Sequence, residues 1–245
     1  LLRGLVDGLA DGAGRVVVIS GEAGIGKSRL LAELARLAEE QAVTWLEGAG
    51  QSIEQGTPYR AWRDVLAAFF GLDEGMAREE RGRQVRERVT GAVGPAFAER
   101  VPLLNDILRL DLPETDLTQS FDPKLRHESL TALVVDLLRA ATAAGPLALV
   151  LEDAHWLDSA SWALALAVSR WVQPLLLTLV TRPLASSTRC SSSYTQSSAH
   201  PTRWRPSGVK ATCLQLRFRP AMLARTRAGR TSHTRIARST PPEAR

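Results

Sequence analysis

A glycine-rich turn between a predicted strand and a predicted helix constrains this chain more than any other feature. Residues 16–34 read VVVISGEAGIGKSRLLAEL, so four β-branched residues run into the turn and leucines at helical spacing follow it. Residues 21–28 fit the pattern G-x-x-x-x-G-K-[ST], in which glycines let backbone N–H groups surround a phosphate chain. The N-terminus of the helix adds unpaired N–H groups and a partial positive charge. The turn therefore predicts a site for nucleotide phosphates.

Two side chains at the end of this turn have separate predicted roles. Lys27 supplies a full positive charge for the terminal phosphates, and the Ser28 hydroxyl is a predicted ligand of Mg²⁺. A chance glycine turn is the alternative, expected in on the order of one chain in a hundred of this length. The strand before the turn and the helix after it reduce that chance further.

An apolar strand that ends in two acids indicates which nucleotide chemistry is expected. The run LALVL leads directly into Glu152 and Asp153. Beside a phosphate-binding turn, one acid can hold the hydration shell of Mg²⁺ and the other can orient the attacking water. Two adjacent acids favour ATP hydrolysis over phosphate transfer to a small acceptor. The alternative is a pair of helix-capping residues at the junction of a strand and a loop.

Strands alternate with helices through residues 1–183, which predicts a parallel α/β sheet covered by helices on both faces. The predicted strands are 15–20, 43–46, LALVLED from 147 and PLLLTLVTRP from 174. The predicted helices begin at 27, 59, 76, 123 and 159, the last two after Asp122 and Asp158 as N-caps.

The pattern stops after Pro183, and the composition changes at the same point. Residues 1–183 hold 19 Lys and Arg against 25 Asp and Glu, whereas residues 184–245 hold 12 against one. Two interpretations of residues 184–245 stay open: an out-of-frame translation after a frameshift near Pro183, or a disordered basic linker. Both predict a tail without a packed core that makes few contacts with residues 1–183.

The composition also bears on the compartment. No apolar run reaches the roughly 18 residues that could span a bilayer, and the N-terminus lacks a secretory pattern. Cys190 and Cys213 are too few for a disulfide framework, so we expect a cytoplasmic protein. The chain opens at Leu1 inside a predicted helix, and we expect it to be a fragment of a longer protein, incomplete at both ends.

The two nucleotide motifs, GEAGIGKSRLLAEL and LVLEDAHWLDSAS, resemble the ATPase module of STAND-type regulators in the AAA-16 grouping. That module occurs in large LuxR-type transcriptional regulators and beside adenylate or guanylate cyclase domains. The resemblance covers about residues 1–183 and implies a P-loop fold with an additional strand, in the sheet order 5-1-4-3-2. Only a weak period near residues 211–223 follows Pro183, so we expect no fifth strand and a hydrophobic edge at residues 16–20.

The resemblance also implies residue roles. The acid on the Mg²⁺ side is Glu152, where Asp is more usual, and the catalytic acid is Asp153. Arg182 is the candidate sensor of the γ-phosphate, with an exposed arginine before a turn as the equal alternative. The residues implied to hold the phosphates and Mg²⁺ are Gly21, Gly24, Gly26, Lys27 and Ser28.

Three residues of the signature after the acid pair have predicted structural roles. Trp156 is expected to pack and Asp158 to cap the next helix. A catalytic role for His155 is the lesser alternative to a structural one.

The predicted function is an Mg-ATP-binding, slowly hydrolysing switch module of a larger bacterial signalling or transcriptional regulator. Its predicted partners are ATP and, through this module in a parent protein, further copies of itself. Nucleic acid would be bound by another domain of the parent or, as an alternative function, non-specifically by the basic residues 184–245. A non-functional frameshifted fragment is the other alternative. A small-molecule kinase is disfavoured by the acid pair and the long segment between the motifs.

Overall fold

The structure, a computed structural model, describes residues 1–52, 57–73, 75–183 and 214–217. The described chain contains a five-stranded sheet, whose strands are β1 (Arg15–Ser20), β2 (Thr44–Ala49), β3 (Leu147–Glu152), β4 (Leu175–Thr181) and β5 (Leu214–Arg217). All neighbouring strands are parallel, in the order β2-β3-β4-β1-β5. Read from the other edge this is 5-1-4-3-2, so both the parallel α/β class and the implied strand order are confirmed.

One expectation is wrong at the β1 edge of this sheet. β1 is not exposed there, because Val17 to Ser20 pair in parallel register with Leu214 to Arg217. An unpaired edge leaves a row of N–H and C=O groups without partners, and a neighbouring strand satisfies them. The segment Leu-Gln-Leu-Arg has the alternation of a strand, within the region of weak periodicity. The predictions for the rest of residues 184–245 lie outside the described residues.

Helices connect the strands and cover the sheet. The first is α1 (Leu2–Ala10), and the others follow the strands or one another along the chain. They are α2 (Lys27–Glu40), α3 (Arg60–Phe70), α4 (Arg78–Val93), α5 (Asn105–Leu108), α6 (Asp116–Gln119), α7 (Pro123–Ala144) and α8 (Ser159–Trp171), with 3-10 helices at Pro95–Leu104 and Ala154–Trp156. No helix among the described residues combines the length and hydropathy needed to cross a bilayer.

The predicted capping residues determine where two of these helices begin. The Asp122 carboxylate accepts a hydrogen bond from the Leu125 N–H, and Pro123 occupies the first helical position of α7. Asp158 accepts from the Ser161 N–H at the start of α8. Both caps confirm the sequence prediction.

The sheet separates two apolar layers. One layer packs α1 and α2 on alternate residues of the strands, including Val17, Ile19 and Val150. The other packs α3, α4, α7 and α8 on the opposite face, and Leu149, Leu177 and Trp62 belong to its buried cluster. Because both faces of β3 are covered, Leu147 to Leu151 are all buried, as the continuous apolar run predicts.

The carboxyl ends of β1, β3 and β4 meet at one edge of the sheet. Ser20 at the end of β1 is paired with Thr181 at the end of β4, and Leu151 near the end of β3 is paired with Leu179. Clefts that bind ligands in open α/β sheets lie at this edge. The glycine turn and the acid pair both follow these strand ends, so the fold brings the two motifs to the same edge.

Candidate functional site

The glycine turn, residues 21–26, joins the end of β1 to the start of α2. Gly24 has a φ of 76° and Gly26 a φ of 102°, and Gly26 is the left-handed N-cap residue of α2. A Cβ added to either glycine would meet no atom within 4 Å. Backbone conformation and not lack of space therefore favours glycine at these two positions. The turn brings the exposed N–H groups of the start of α2 to the mouth of the site.

Lys27 is the first residue of α2 and lies across the turn. Its Nζ donates hydrogen bonds to the carbonyl oxygens of Gly21, at 2.8 Å, and Glu22, at 3.0 Å. Ser28 follows as an exposed residue in the first turn of the helix. A positive charge, a hydroxyl and a helix N-terminus thus lie together, which suits a polyphosphate anion.

β4 connects this turn to the acid pair, because it lies between β1 and β3. The Gly21 N–H donates to the Thr181 carbonyl at 3.3 Å, so the first residue of the turn is tied to the last residue of β4. Arg182 comes directly after Thr181 and is exposed. The structure therefore places Arg182 beside the start of the turn, on the strand between the two motifs.

The acids occupy two different environments at the end of β3. Glu152 is the last strand residue and is partly buried, whereas the Asp153 side chain is about half exposed. Asp153 has a φ of 47°, an unfavourable conformation for a residue with a Cβ, and it opens the 3-10 helix Ala154–Trp156. Gly50 packs against this turn, since its N–H donates to the Glu152 carbonyl at 2.9 Å and an added Cβ would lie 2.7 Å from the Asp153 carbonyl.

A further carboxylate, Glu47 of β2, contacts Glu152. Burial, followed by the hydrogen bond to Glu47 and repulsion by the charges of Glu47 and Asp153, raises the pKa of Glu152 to about 7, and Lys27 opposes the shift. The Trp45 indole donates to Glu47 at 2.9 Å. Glu47 was not anticipated because the predicted strand ended at residue 46. An acid two residues before the end of a strand, facing the same side as Glu152, was the available signal.

His155 lies next to Asp153, with 3.8 Å between its Nδ1 and the Asp153 Oδ1. Within the described part of the chain, both ring nitrogens are buried and have no hydrogen-bond partner. Burial holds the pKa of His155 below its usual value; Asp153 opposes this, and the charges of Arg182 and Lys27 add to it. His155 therefore shares one electrostatic neighbourhood with Lys27, Asp153 and Arg182, although the sequence favoured a structural role for it.

These residues fit a nucleotide with its magnesium ion. Mg²⁺ takes oxygen ligands and commonly keeps several waters together with one or two protein groups and the phosphates of a substrate. The Ser28 hydroxyl and the Glu152 carboxylate are such groups. No set of three or more His, Cys, Asp and Glu side chains in the described residues could hold a metal by itself.

Comparison with known proteins agrees with this arrangement. The AAA_16 family model, described as an AAA ATPase domain, matches residues 1–179. An uncharacterized protein of Rhizobium meliloti (strain 1021) is 30% identical over 198 residues, which cover 73% of this chain and 17% of that protein. Adenylate cyclase type 10 of Oryctolagus cuniculus is 24% identical over 154 residues, which cover 63% of this chain and 9% of that protein. No solved structure matches.

The chain thus spans less than a fifth of either curated relative. The family match includes the glycine turn, the acid pair and most of β4, and it ends three residues before Arg182. With a glycine turn and an acid-ended strand at the same edge of a parallel sheet, and with the family model matching residues 1–179, the chain belongs to the AAA ATPase domain family, AAA_16.

Proposed function

We propose that this chain is an Mg-ATP-binding, slowly hydrolysing switch module of a larger bacterial signalling or transcriptional regulator. The observation that carries the proposal is the meeting of two motifs at one sheet edge. On one side of β4 lie the positive-φ glycines of the turn and Lys27, which follows the turn. On the other side of β4 lie Glu152, the last residue of β3, and Asp153, which follows it. A polyphosphate binding at the turn would extend toward the acids.

Each residue of the site has a separate role in this proposal. Gly21, Gly24 and Gly26 shape the turn so that backbone N–H groups face the phosphates, and Lys27 neutralises the terminal ones. Ser28 and Glu152 would hold Mg²⁺, which when bound would withdraw charge from the terminal phosphates.

Asp153 orients the attacking water and accepts its proton, which its exposed carboxylate allows. Arg182, at the end of β4, stabilises the charge that develops on the γ-phosphate. The strained backbone at Asp153 is consistent with a catalytic position.

The role in a larger regulator rests on the relatives. One of them is an adenylate cyclase by name, and both are several times longer than this chain. A module that binds and slowly hydrolyses ATP has two states, with and without the γ-phosphate, that neighbouring domains can distinguish. Slow turnover fits a switch because it keeps the ATP state populated.

Titration of Mg-ATP tests the binding half of the proposal. Replacing Lys27 by Ala removes the charge that faces the terminal phosphates, and we expect at least a tenfold loss of affinity, about 1.4 kcal/mol. Lys124→Ala is the matched control, because this lysine is 85% exposed on α7, which packs on the face of the sheet opposite α2. Calorimetry with each purified chain measures both affinities, and circular dichroism checks that each is folded. Equal affinities for Mg-ATP in folded wild type and Lys27→Ala would overturn the assignment of the turn.

A further inference from the structure

The imidazole of His155 has no task among the roles proposed for the site. Only 15% of the side chain is exposed, and within the described chain neither ring nitrogen has a hydrogen-bond partner. A buried polar atom without a partner is unfavourable, and most such atoms in folded proteins are paired. A catalytic task is one of the reasons for which a protein retains such an atom. The ring therefore calls for a partner in the working site.

The nearest carboxylate is that of Asp153, whose Oδ1 lies 3.8 Å from Nδ1 of His155. This distance is beyond a hydrogen bond, but the Asp153 side chain is about half exposed and has room to turn. Hydrogen bonds of catalytic groups are often long in a protein without substrate and shorten when substrate binds. A rotation of the carboxylate toward the ring is enough to close the gap.

The imidazole itself is held in place. Its ring contacts that of Trp156, with 4.9 Å between the centroids and a tilt of 41°. The Trp156 N–H donates to the Asp153 carbonyl at 2.8 Å, which closes the turn that carries His155. Trp156 is packed against the next strand, since a Cβ added to Gly50 would lie 3.1 Å from the Trp156 Cβ. The ring is thus a fixed point and the carboxylate is the partner that moves.

The protonation state of the ring suits this contact. Burial holds the pKa of His155 below its usual value, so the ring is neutral at pH 7 and carries one N–H. An ionised carboxylate only accepts hydrogen bonds, so the tautomer that fits Asp153 has its proton on Nδ1. The charges of Lys27 and Arg182 also act on His155. These two side chains are the ones proposed to meet the terminal phosphates, so the His155–Asp153 pair lies beside the proposed site of reaction.

We propose that His155 is a positioning residue that donates a hydrogen bond from Nδ1 to one oxygen of the Asp153 carboxylate when Mg-ATP is bound. The other oxygen is then aimed at the attacking water. The proposal rests on the proposed function, in which Asp153 accepts the proton of that water. A half-exposed carboxylate has several staggered orientations, and a fixed donor selects the productive one, which raises the rate without adding to ATP affinity.

Three substitutions of His155 separate its two nitrogens. His155→Leu removes both, His155→Asn keeps an amide where Nδ1 lies, and His155→Gln carries its amide to the level of Nε2. We expect kcat to fall about tenfold or more in His155→Leu and His155→Gln, with the Mg-ATP dissociation constant within about twofold of wild type. His155→Asn should recover most of the lost rate, because its amide can donate to Asp153.

His127→Leu is the matched control, because it removes a second histidine on the opposite face of the sheet. His127 lies on α7, where its Nδ1 is 2.6 Å from the Tyr59 hydroxyl. We expect this variant to keep wild-type turnover at a temperature where it is folded. Phosphate release under saturating ATP, calorimetry and circular dichroism of every full-length variant measure turnover, affinity and folding.

Two further measurements show whether His155 acts through Asp153. In an Asp153→Asn background, His155→Leu should cause little additional loss of turnover, because the group that it positions is already disabled. Heteronuclear NMR of the imidazole nitrogens reports which nitrogen carries the proton and needs no nucleotide. The His155 signals, assigned by their absence in His155→Leu, should show the proton on Nδ1 in wild type and lose that preference in Asp153→Ala.

The outcomes distinguish this role from the proposed function. A wild type that neither binds nor hydrolyses Mg-ATP would overturn the proposed function and the role of His155 with it. If Asp153→Asn loses turnover while His155→Leu keeps it, only the role of His155 is overturned. Rescue by Gln instead of Asn, multiplying losses in the double variant, or a proton on Nε2 would each overturn that role as well.

Discussion

At the scale of single residues, Glu152 and Asp153 are neighbours in sequence but differ in environment. Glu152 is partly buried against Glu47, and Asp153 is half exposed beside His155. We expect Asp153→Asn to bind Mg-ATP nearly as well as the wild type, because the amide keeps the shape of the side chain. Turnover should fall by at least 100-fold, since the amide cannot accept a proton from water. Phosphate release under saturating ATP, together with calorimetric affinity, measures the two effects separately.

Glu152→Gln is the comparison variant for this prediction. If Glu152 holds Mg²⁺, its loss should weaken the dependence of ATP affinity on magnesium, whereas Asp153→Asn should leave that dependence intact. Undiminished hydrolysis by Asp153→Asn would mean that the roles of the two acids have to be exchanged. The contrast is informative because the adjacent side chains share one strand end and differ mainly in burial.

At the scale of elements, Asp158 holds the start of α8 and the start of α3 together. Its carboxylate accepts from the Ser161 N–H at 2.9 Å, from the Ser161 hydroxyl at 2.6 Å and from the Tyr59 N–H at 3.1 Å. Asp158→Ala removes a helix cap, worth about 1 kcal/mol, and leaves the N–H of buried Tyr59 without its acceptor, which costs roughly 1–3 kcal/mol. We expect the free energy of unfolding in urea to fall by about 2–4 kcal/mol, the sum of these two costs.

Asp158→Asn is the matched variant, because Asn also caps helices well and keeps one acceptor oxygen. Its loss of stability should be less than half that of Asp158→Ala. If Asp158→Ala and Asp158→Asn lower the free energy of unfolding equally, the helix cap is not the source of the lost stability. If neither lowers stability, the link between α3 and α8 contributes nothing.

Arg126 connects α7 to α5 and to the segment before α6. It donates to both oxygens of Asp106, at 2.9 and 3.1 Å, and to both oxygens of Glu114, at 3.2 and 2.9 Å. Only 23% of its side chain is exposed, so solvent screens these bonds less than those of a surface pair. We expect Arg126→Met to lower the free energy of unfolding by about 1 kcal/mol at pH 7.

The stability lost in Arg126→Met depends on pH because the Glu114 carboxylate titrates. The hydrogen bond from Arg126 holds the pKa of Glu114 below its usual value. The bond therefore stabilises the fold fully above the unfolded pKa of about 4.3, and this stabilisation is lost as the pH falls through the lowered pKa. The difference between wild type and Arg126→Met should shrink from pH 7 toward pH 3.5 in urea titrations. A difference that stays constant over this range would contradict the assignment.

Element-level features were predictable from sequence where they are local. Asp122 with Pro123, and Asp158, mark helix starts within a few residues of themselves, and the glycine turn is a contiguous motif. Glu47 was missed because its importance depends on β2 lying beside β3, a pairing between distant segments.

At the scale of the whole molecule, the order of the strands was anticipated and the partner of β1 was not. Sheet order came from the resemblance of residues 1–183 to a known module, and the structure agrees with it. The break in charge and periodicity after Pro183 suggested that β1 would be an edge. Four residues of weak alternation suffice for pairing, because the ladder is formed by backbone groups that composition does not report.

The last prediction concerns this pairing, and it uses two changes to the full chain. Ending the chain at Pro183 removes β5 and leaves one edge of β1 unpaired, so we expect a lower free energy of unfolding and aggregation that increases with concentration. The double variant Gln215→Pro/Leu216→Pro keeps the length and charge of the tail. Successive N–H groups of a strand point in opposite directions, so one of the two prolines removes a donor that faces β1. Urea unfolding and light scattering should therefore show the same direction of change in the double variant as in the shortened chain.

If the shortened chain alone loses stability and aggregates, residues 184–245 act by some means other than strand pairing. If both match the wild type, β5 contributes nothing to stability, as expected for a tail translated out of frame.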